Sequence, residues 1–296
     1  MEILIIGHGY SAAALTPMLR AEGWQVIGTT RSRPDRVEKA GAVPLIWPGD
    51  DDAFRAALDR ADAILVSTPP DENGDPVLTG YAQDLARSAD RLRWLGYLST
   101  TGVYGDRNGD WVDEDSALNG TGLRARARIE AEAAWQGLAK QHGLPLHIFR
   151  LAGIYGPGRG PFEKIRNGTA RRIIKPGQVF SRIHVEDIAR ALAASIRMPR
   201  PGAVYNLCDD EPAPPEDVIA HAARLLGYPL PPEIAFDEAA RDMSAMARSF
   251  YADSKRVRND RIKRDLGLQL LYPDYRSGLA AILRAETEPG SQRHGA

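Results

Sequence analysis

The sequence predicts an α/β protein with a doubly wound parallel sheet and a smaller C-terminal domain that caps the substrate side of the sheet. In the first two thirds of the chain, short apolar segments alternate with longer amphipathic ones, as strands alternate with helices in such folds. Several short segments are apolar throughout, which strands buried on both faces require. The predicted strands are Ile3–Ile6, Gln25–Gly28, Val43–Ile46, Ala63–Ser67, Leu95–Ser99 and Leu146–Arg150. The predicted helices are Ser11–Glu22, Asp35–Ala40, Asp51–Asp59, Val77–Arg91 and Leu123–His142.

The first predicted strand runs directly into a glycine turn. Residues 7–12 read Gly-His-Gly-Tyr-Ser-Ala, the spacing Gly-x-Gly-x-x-Ala, and helix-forming sequence follows. In such a turn the first glycine permits the bend, the second lets a pyrophosphate approach the backbone, and the alanine lets the helix pack on the strand. The free amides of the helix N-terminus then bind the phosphates. We therefore predict a Rossmann-type fold with a dinucleotide site at Gly7, Gly9, Tyr10, Ser11 and Ala12.

The segment after the second strand bears on the choice between NAD and NADP. It reads Thr29-Thr-Arg-Ser-Arg33 and contains no acidic residue that could accept hydrogen bonds from the adenosine ribose. Hydroxyls and guanidinium groups instead match a phosphomonoester. We predict NADP rather than NAD, bound by Thr30, Arg31 and Ser32. The alternative is a solvated loop with two ordinary arginines.

Two other strand ends add predicted cofactor contacts. Asp50 follows the third strand and is predicted to meet the adenine amino group. Ser67, Thr68 and Pro69 follow the fourth strand, where the chain passes close to the pyrophosphate in folds of this type. Both segments also fit ordinary turn chemistry, because Asp, Ser and Pro are favoured in turns.

Composition and charge exclude several classes of protein. The chain has 296 residues, a formal net charge of −1 and one cysteine, Cys208. Near-neutral charge gives no electrostatic reason to bind nucleic acid or a membrane surface, and no apolar segment approaches the roughly 18 residues of a membrane span. One cysteine provides no disulfide framework and no structural zinc site, and we predict no metal. We expect a cytoplasmic protein whose last residues, 288–296, form a disordered tail.

The character of the chain changes after Gly156-Pro-Gly158, where proline and glycine become frequent. We predict a dinucleotide-binding domain over residues 1–157 and a smaller substrate domain over residues 158–296. A helix starting near Glu186 and a strand at Ala203–Leu207 return residues 184–207 to the first domain. A ligand is expected in the crevice between the two parts.

Several segments in the right order resemble one family, the extended short-chain dehydrogenases/reductases that include nucleotide-sugar epimerases and dehydratases. They are Leu98–Gly105, Phe149–Pro157, Arg182–Ala189 and Tyr205–Leu207, in addition to the glycine turn. The segment Pro69–Pro76 resembles an atypical subgroup of these proteins. The resemblance implies an NAD(P)-binding epimerase/dehydratase-like protein with a small-molecule substrate, and a homodimer is one option.

The same resemblance assigns the catalytic positions. In the family a Tyr four residues before a Lys acts as acid and base, and a Ser or Thr orients the substrate oxygen. Here the Tyr position falls on Arg124, the Lys position on Arg128 and the hydroxyl position on Thr100. Arg keeps its proton, so Arg124 cannot exchange one with a substrate. The two carboxylates that dehydratases carry fall on Thr101 and Gly102, which argues against dehydration by that route.

Other features of this helix and its surroundings allow a second interpretation. The arginines of the helix could form a solvated face paired with Glu130 and Glu132. Asp75 stands near the position of an upstream Asn of the family. Three tyrosines could lie near the crevice without being catalytic; they are Tyr10, Tyr104 and Tyr155.

The substrate segment of the chain is short. In the nucleotide-sugar enzymes a long stretch embraces the nucleotide, whereas here only Gly158 to Ile183 is available. This favours a small substrate. An anionic substrate is one option because the region is rich in basic residues, with scattered surface charge as the alternative; the residues are Arg159, Arg171, Arg172, Lys175 and Arg182.

Two hypotheses follow. The first is an NADP-dependent oxidoreductase or epimerase for a small carbonyl or hydroxyl compound, with Thr100 near the nicotinamide and Arg124 or Arg128 as an electrophilic clamp. The second is a non-catalytic NADP-binding protein that senses the redox state of the cofactor. Thr100 favours the enzyme, and Arg124 in place of Tyr favours the sensor.

Overall fold

The structure is a computed structural model that describes residues 1–287, except for the side chains of residues 245 and 246. The predicted disordered tail, residues 288–296, lies outside the described residues. The strands are β1 (Glu2–Ile6), β2 (Gln25–Thr30), β3 (Val43–Ile46), β4 (Ala63–Val66), β5 (Trp94–Thr100), β6 (Trp111–Val112), β7 (Leu146–Leu151), β8 (Gly153–Tyr155), β9 (Arg172–Ile174), β10 (Arg182–His184), β11 (Val204–Leu207), β12 (Glu233–Ala235) and β13 (Arg256–Val257). The helices are α1 (Tyr10–Ala21), α2 (Pro34–Lys39), α3 (Asp51–Arg60), α4 (Pro76–Arg87), α5 (Leu123–His142), α6 (Phe162–Arg166), α7 (Val185–Arg197), α8 (Pro215–Leu226), α9 (Phe236–Asp242), α10 (Ala245–Ala252), α11 (Asp260–Leu266) and α12 (Tyr275–Thr287), with a 3₁₀ turn at Thr101–Tyr104.

Seven strands form the central sheet, in the order β11-β7-β5-β4-β1-β2-β3, and all neighbours are parallel. From β1 the chain winds outward to β3, then returns beside β1 as β4 and winds outward in the other direction. The strand order therefore reverses between β1 and β4. In sheets of this kind ligands bind in the crevice outside the carboxyl ends of the strands at that reversal. The predicted doubly wound, Rossmann-type fold is confirmed.

Helices cover both faces of the sheet, and this explains why its strands are apolar throughout. Along β1, Ile3 and Ile5 belong to the core on the face covered by α1 and α7, whereas Leu4 and Ile6 belong to the core on the opposite face. Because successive side chains of a strand point to opposite faces, both sets must be apolar when both faces are buried.

The C-terminal third contributes to more than one core. A third apolar cluster joins α6, α8 and α12 to Tyr155, while Val257 and Ile262 pack in the core under the central sheet. Three pairs of very short parallel strands, β8 with β10, β9 with β12 and β6 with β13, connect the segments of this region. The strand predicted at the end of residues 184–207 is present as β11 and pairs with β7. The proposed division into two domains remains a prediction.

Most predicted elements agree with the structure to within one or two residues. Strand β2 runs two residues further than predicted, because Thr29 and Thr30 continue its pairing with β3. Helix α4 is shorter than predicted and ends at Arg87, and the chain turns at the C-cap residue Ser88. Within residues 1–287, no helix combines the length and the apolar composition that a membrane span requires.

Candidate functional site

The turn between β1 and α1 requires glycine at its first position. Gly7 has a φ of +87°, in the region that favours glycine. A Cβ at this position would lie 2.9 Å from Cγ2 of Thr68, which follows β4. The Gly7 amide donates to Oγ1 of the buried Thr29 on β2, at 2.8 Å. Gly7 therefore brings β1, β2 and β4 together at the reversal of the sheet.

Gly9 leaves space in front of helix α1. It is the N-cap residue, with an extended φ of −105°, and the nearest atom to a Cβ built on it is 3.9 Å away, the Gly7 carbonyl oxygen. No side chain caps this end and the first turn holds no acidic residue. Tyr10, Ser11 and Ala12 thus begin a helix whose first amides have no side-chain cap, and the helix dipole favours an anion at this end. Ala12 itself is fully buried in the core.

Sequence reasoning missed His8 and Gly28, which set the spacing of β1 and β2 beside the turn. A Cβ on Gly28 would lie 2.6 Å from the imidazole carbon Cδ2 of His8, so only glycine fits there. Nε2 of His8 lies 2.8 Å from Oγ1 of Thr16, and this hydrogen bond joins the turn to α1. Burial lowers the pKa of His8. The sequence feature that could have indicated this contact is the histidine between the two glycines of the motif.

At the end of β2 the structure distinguishes the two arginines. Arg33 pairs with Asp35 at 3.4 Å, and its amide donates to Oγ1 of Thr30 at 3.2 Å. Arg31 and Ser32 are exposed, and Arg31 has no ion pair with any side chain that the structure describes. Arg31 therefore presents an uncommitted guanidinium at the place where the sequence predicts a phosphate.

The remaining predicted cofactor residues lie at strand ends but differ in their contacts. Asp50 is the N-cap of α3, and its Oδ1 accepts from the Ala53 amide at 2.9 Å, so the turn chemistry named as the alternative is present. The amide of Ser67 extends the pairing with β1. Oγ1 of Thr68 is buried beside Gly7 without a hydrogen-bond partner among the described residues, and Pro69 is exposed.

The three predicted catalytic residues are not equivalent. Thr100 ends β5 half-buried, and its Oγ1 accepts from the Gly102 amide at 3.1 Å. Arg128 donates to the hydroxyl of Tyr97 at 3.2 Å and to the carbonyl of Leu98, so its guanidinium supports β5. Arg124 lies in the first turn of α5 and is exposed. Of the two arginines, Arg124 is thus the more exposed.

Asp75, the residue near the position of the family Asn, accepts hydrogen bonds that stabilise the fold. It caps α4 by accepting from the amides of Val77 and Leu78, at 3.0 and 3.2 Å, and it accepts from the indole of Trp135 at 3.0 Å. Burial raises the pKa of its carboxyl, and these hydrogen bonds oppose the rise. Asp75 therefore joins the start of α4 to the middle of α5.

A buried ion pair corrects two expectations. Glu132 does not pair with the arginines of its own helix; it accepts from Arg150 on β7 at 2.8 Å, with both side chains almost fully buried. Arg150 also donates to the hydroxyl of Tyr104 at 2.9 Å, and that hydroxyl donates to Asn206 on β11 at 2.7 Å. Tyr104 is completely buried, so it does not line the crevice as expected. Its motif position is structural, because it completes the polar network of Arg150.

The other two tyrosines bind backbone carbonyls. The hydroxyl of Tyr10 donates to Pro157 at 2.9 Å, which ties the start of α1 to the loop after β8. Burial raises the pKa of Tyr10 to about 12, and the nearby Arg159 opposes the rise. Tyr155 donates to the carbonyl of Asp274 at 3.3 Å. Within the described residues, neither hydroxyl makes a hydrogen bond to Thr100.

Several of the basic residues between Gly158 and Ile183 already have partners. Arg172 pairs with Glu233 at 2.9 Å, Lys175 donates to the carbonyl of Tyr251, and Arg171 donates to neighbouring carbonyls. The region is therefore less available to an anion than its composition suggests. Arg182 likewise donates to the carbonyls of Phe180 and Ala213, at 2.8 and 3.0 Å.

Comparison with known proteins agrees with this geometry. The profile described as the NAD dependent epimerase/dehydratase family matches residues 3–208, from β1 through β11. The chain belongs to this family.

A solved structure from Silicibacter pomeroyi, described as a functionally unknown conserved protein, is 56% identical with a TM-score of 0.91, covering 96% of this chain and 98% of that one. A Streptomyces protein named 3-diazoavenalumate denitrifying reductase is 29% identical, covering 94% of this chain and 99% of its own length. Human epimerase family protein SDR39U1, solved with NADPH, is 20% identical with a TM-score of 0.75, covering 96% of this chain and 99% of that one, and shows the same fold.

The family profile covers the glycine turn, the strands of the central sheet and the loop after β4. The predicted reaction centre departs from the family pattern, because Arg124 stands where the resemblance places the tyrosine. Specific chemistry must therefore be argued from this chain's own residues.

Proposed function

We propose that this protein is an NADP-dependent oxidoreductase or epimerase that acts on a small carbonyl or hydroxyl compound. The observation that carries the proposal is the uncapped helix N-terminus at Gly9, beside the strand-order reversal between β1 and β4, with Thr100 at the end of β5, which pairs with β4. A relative named as a reductase supports hydride chemistry in this fold.

The residues of the turn fit the pyrophosphate of a dinucleotide. A Cβ at Gly9 would meet no atom closer than 3.9 Å, so the backbone is open to a ligand. The uncapped amides of α1 supply donors, and Thr68, whose buried Oγ1 has no partner among the described residues, lies beside Gly7. A buried hydroxyl without a partner is costly unless something binds it.

The proposal of NADP over NAD depends on Arg31. An additional phosphate on the adenosine ribose would meet Arg31, Ser32 and Thr30, whereas NAD would leave this guanidinium unused. Arg33, the second arginine of this segment, is already paired with Asp35 and is therefore not counted as a ligand of that phosphate.

The nicotinamide ring supplies or accepts the hydride when the cofactor is bound. Thr100 binds the substrate oxygen: its own hydroxyl accepts from Gly102, which leaves its proton free to donate. Arg124 polarises the same oxygen by its fixed positive charge and transfers no proton. Arg128 acts as a positioning residue, because it holds the Leu98 carbonyl two residues before Thr100.

A second candidate is a redox sensor that binds NADP(H) without turnover. The observation that favours it is Arg124 itself, since no acid replaces the tyrosine of the family at that position. A sensor distinguishes NADPH from NADP⁺ by affinity and gives no product.

The test uses NADPH carrying deuterium at the transferable position, a panel of small aldehydes and ketones, and mass spectrometry of the products. We expect deuterium in a product, and a fall in kcat of roughly 10²-fold in Thr100→Val, the size seen when one donor to a developing oxyanion is removed. Thr101→Val, one residue along the same turn, is the matched control and should keep most activity. Tight NADPH binding without any deuterium transfer would overturn the enzyme proposal and leave the sensor.

A further inference from the structure

A tight turn after β8, which we call the Gly156 turn, lies against the start of α1. It spans residues 156–159 and is closed by two backbone hydrogen bonds: the Gly156 amide donates to the Arg159 carbonyl at 3.1 Å, and the Arg159 amide donates to the Gly156 carbonyl at 2.9 Å. These bonds fix the backbone of Arg159. Neither the predicted cofactor contacts nor the proposed chemistry uses this arginine.

Tyr10 joins the Gly156 turn to helix α1. It is the first residue of α1, and its hydroxyl donates to the Pro157 carbonyl at 2.9 Å. A Cβ on Gly156 would lie 2.5 Å from that hydroxyl and 2.7 Å from Cγ1 of Val185, so the close approach depends on glycine at residue 156. The start of α1 and the Gly156 turn are thus held in direct contact.

This contact places the guanidinium of Arg159 over the ring of Tyr10, with Cζ 5.7 Å from the ring centroid. Arg159 is exposed, and within the described residues its guanidinium makes no hydrogen bond and no ion pair. A contact with the face of a ring leaves the N–H donors of a guanidinium free. Arg159 therefore holds an accessible, unpaired positive charge at the beginning of α1.

The charges at this end of α1 indicate an anionic ligand. No side chain caps the helix, and its first turn holds no acidic residue, so the positive end of the helix dipole has no negative partner there. The Arg159 guanidinium carries the same sign of charge. Two positive groups that converge on Tyr10 repel each other, whereas an anion bound between them would be attracted by both.

Building on the dinucleotide site of the proposed function, we propose that Arg159 binds the cofactor pyrophosphate, together with the first amides of α1. A guanidinium presents paired N–H donors that match phosphate oxygens. Tyr10 is a positioning residue, because its hydroxyl holds the Gly156 turn in place. Arg31 and Arg159 then have different roles: Arg31 distinguishes NADP from NAD, and Arg159 binds the part that both cofactors share. The inference applies equally to an enzyme and to a redox sensor.

The test is calorimetric titration with NADPH, NADH and ADP-ribose, which has the pyrophosphate but no nicotinamide. Arg159→Gln should weaken all three by a similar factor of roughly tenfold, because one charge-assisted contact is lost. Lys164→Gln, which removes a positive charge from the nearby helix α6, is the matched control and should bind all three like the wild type. Arg159→Lys should recover part of the loss, since it restores the charge without the paired donors.

The role of Tyr10 is tested by a double-mutant cycle. Tyr10→Phe keeps the ring and removes the hydroxyl that holds the Gly156 turn. Arg159→Gln should therefore cost less affinity in the Tyr10→Phe protein than in the wild type, because contacting residues are not additive. An equal cost in both proteins would overturn the positioning role.

The pattern across the three ligands decides the rest. A loss confined to NADPH would place Arg159 at the ribose phosphate, and a loss for NADPH and NADH without one for ADP-ribose would place it at the nicotinamide; either result would overturn the proposal. Normal binding by the wild type that Arg159→Gln leaves unchanged would overturn this inference alone. A wild type that binds none of the three ligands would overturn the proposed function as well.

Discussion

Acidification should destabilise this protein in part through the buried histidine His147, at the start of β7. The side chain is fully buried: Nε2 accepts from the Arg200 amide at 2.7 Å, and Nδ1 lies 3.4 Å from the Leu95 carbonyl. Both contacts are satisfied by the neutral ring that carries its proton on Nδ1. Protonating Nε2 would place two N–H groups against each other in a buried position. Burial accordingly lowers the pKa of His147 from 6.5 to about 4.

The size and sign of the effect follow from that shift. In the unfolded chain the ring takes up a proton as the pH falls below about 6.5, whereas the folded protein resists until about pH 4. The contribution is therefore fully present above the unfolded pKa and is lost progressively as the pH falls. From those two values the loss at about pH 5 is roughly 2 kcal/mol, approaching about 3 kcal/mol below pH 4.

The assay is urea unfolding of the wild type and His147→Gln from about pH 7.5 to about pH 5. Gln keeps an acceptor for Arg200 and cannot titrate, so the difference between the two proteins cancels the buried carboxyls and His184, whose pKa is also lowered to about 4 by burial. The free-energy difference between wild type and variant should move by about 2 kcal/mol in favour of the variant. A difference that stays constant over this range would refute the tautomer and burial argument.

Three further outcomes are expected. Gly9→Val should fold like the wild type, because the added atoms enter open space, yet lose NADPH and NADH binding in titrations; undiminished binding would place the site elsewhere. Glu132→Gln should cost about 3–5 kcal/mol in urea unfolding by leaving Arg150 buried without its partner, and a cost below about 1 kcal/mol would contradict the role of the pair. Arg124→Tyr combined with Arg128→Lys should reduce generic carbonyls faster than the parent, within the roughly 10²–10⁴-fold that acid catalysis supplies; normal NADPH binding without any gain would favour the sensor.

The sequence was sufficient for the central sheet because its signals are long and redundant. Strand β1 is apolar on both faces and leads into a glycine turn, and each signal supports the other. The pairs of two- or three-residue strands in the C-terminal third could not be predicted, since so few residues show no periodicity. Their positions depend on contacts between distant segments, such as β6 with β13.

The candidate site shows a similar limit. Asp50 is suited both to a cofactor contact and to capping a helix, and only the structure shows that it caps α3. Glu132 lies on a helix rich in arginine, yet its partner is Arg150 of β7, which no local spacing indicates. Arg182 and Asp209 are separated along the chain by a helix and a strand, yet the Asp209 amide donates to the Arg182 carbonyl at 2.6 Å. Local motifs predict turns well, whereas pairs of buried charges require the tertiary fold.

The central claim is that the glycine turn and Arg31 bind NADP(H). The most direct measurement is calorimetric titration of the wild type, Arg31→Ala and Arg33→Ala with NADPH and NADH. We predict that the wild type binds NADPH more tightly by roughly tenfold or more, since a charge-assisted contact contributes about 1.5–3 kcal/mol. Arg31→Ala should remove most of this preference, and Arg33→Ala, which loses only an exposed pair with Asp35, should retain it. Equal affinities of the wild type for the two cofactors, or a preference unchanged in Arg31→Ala, would contradict the account.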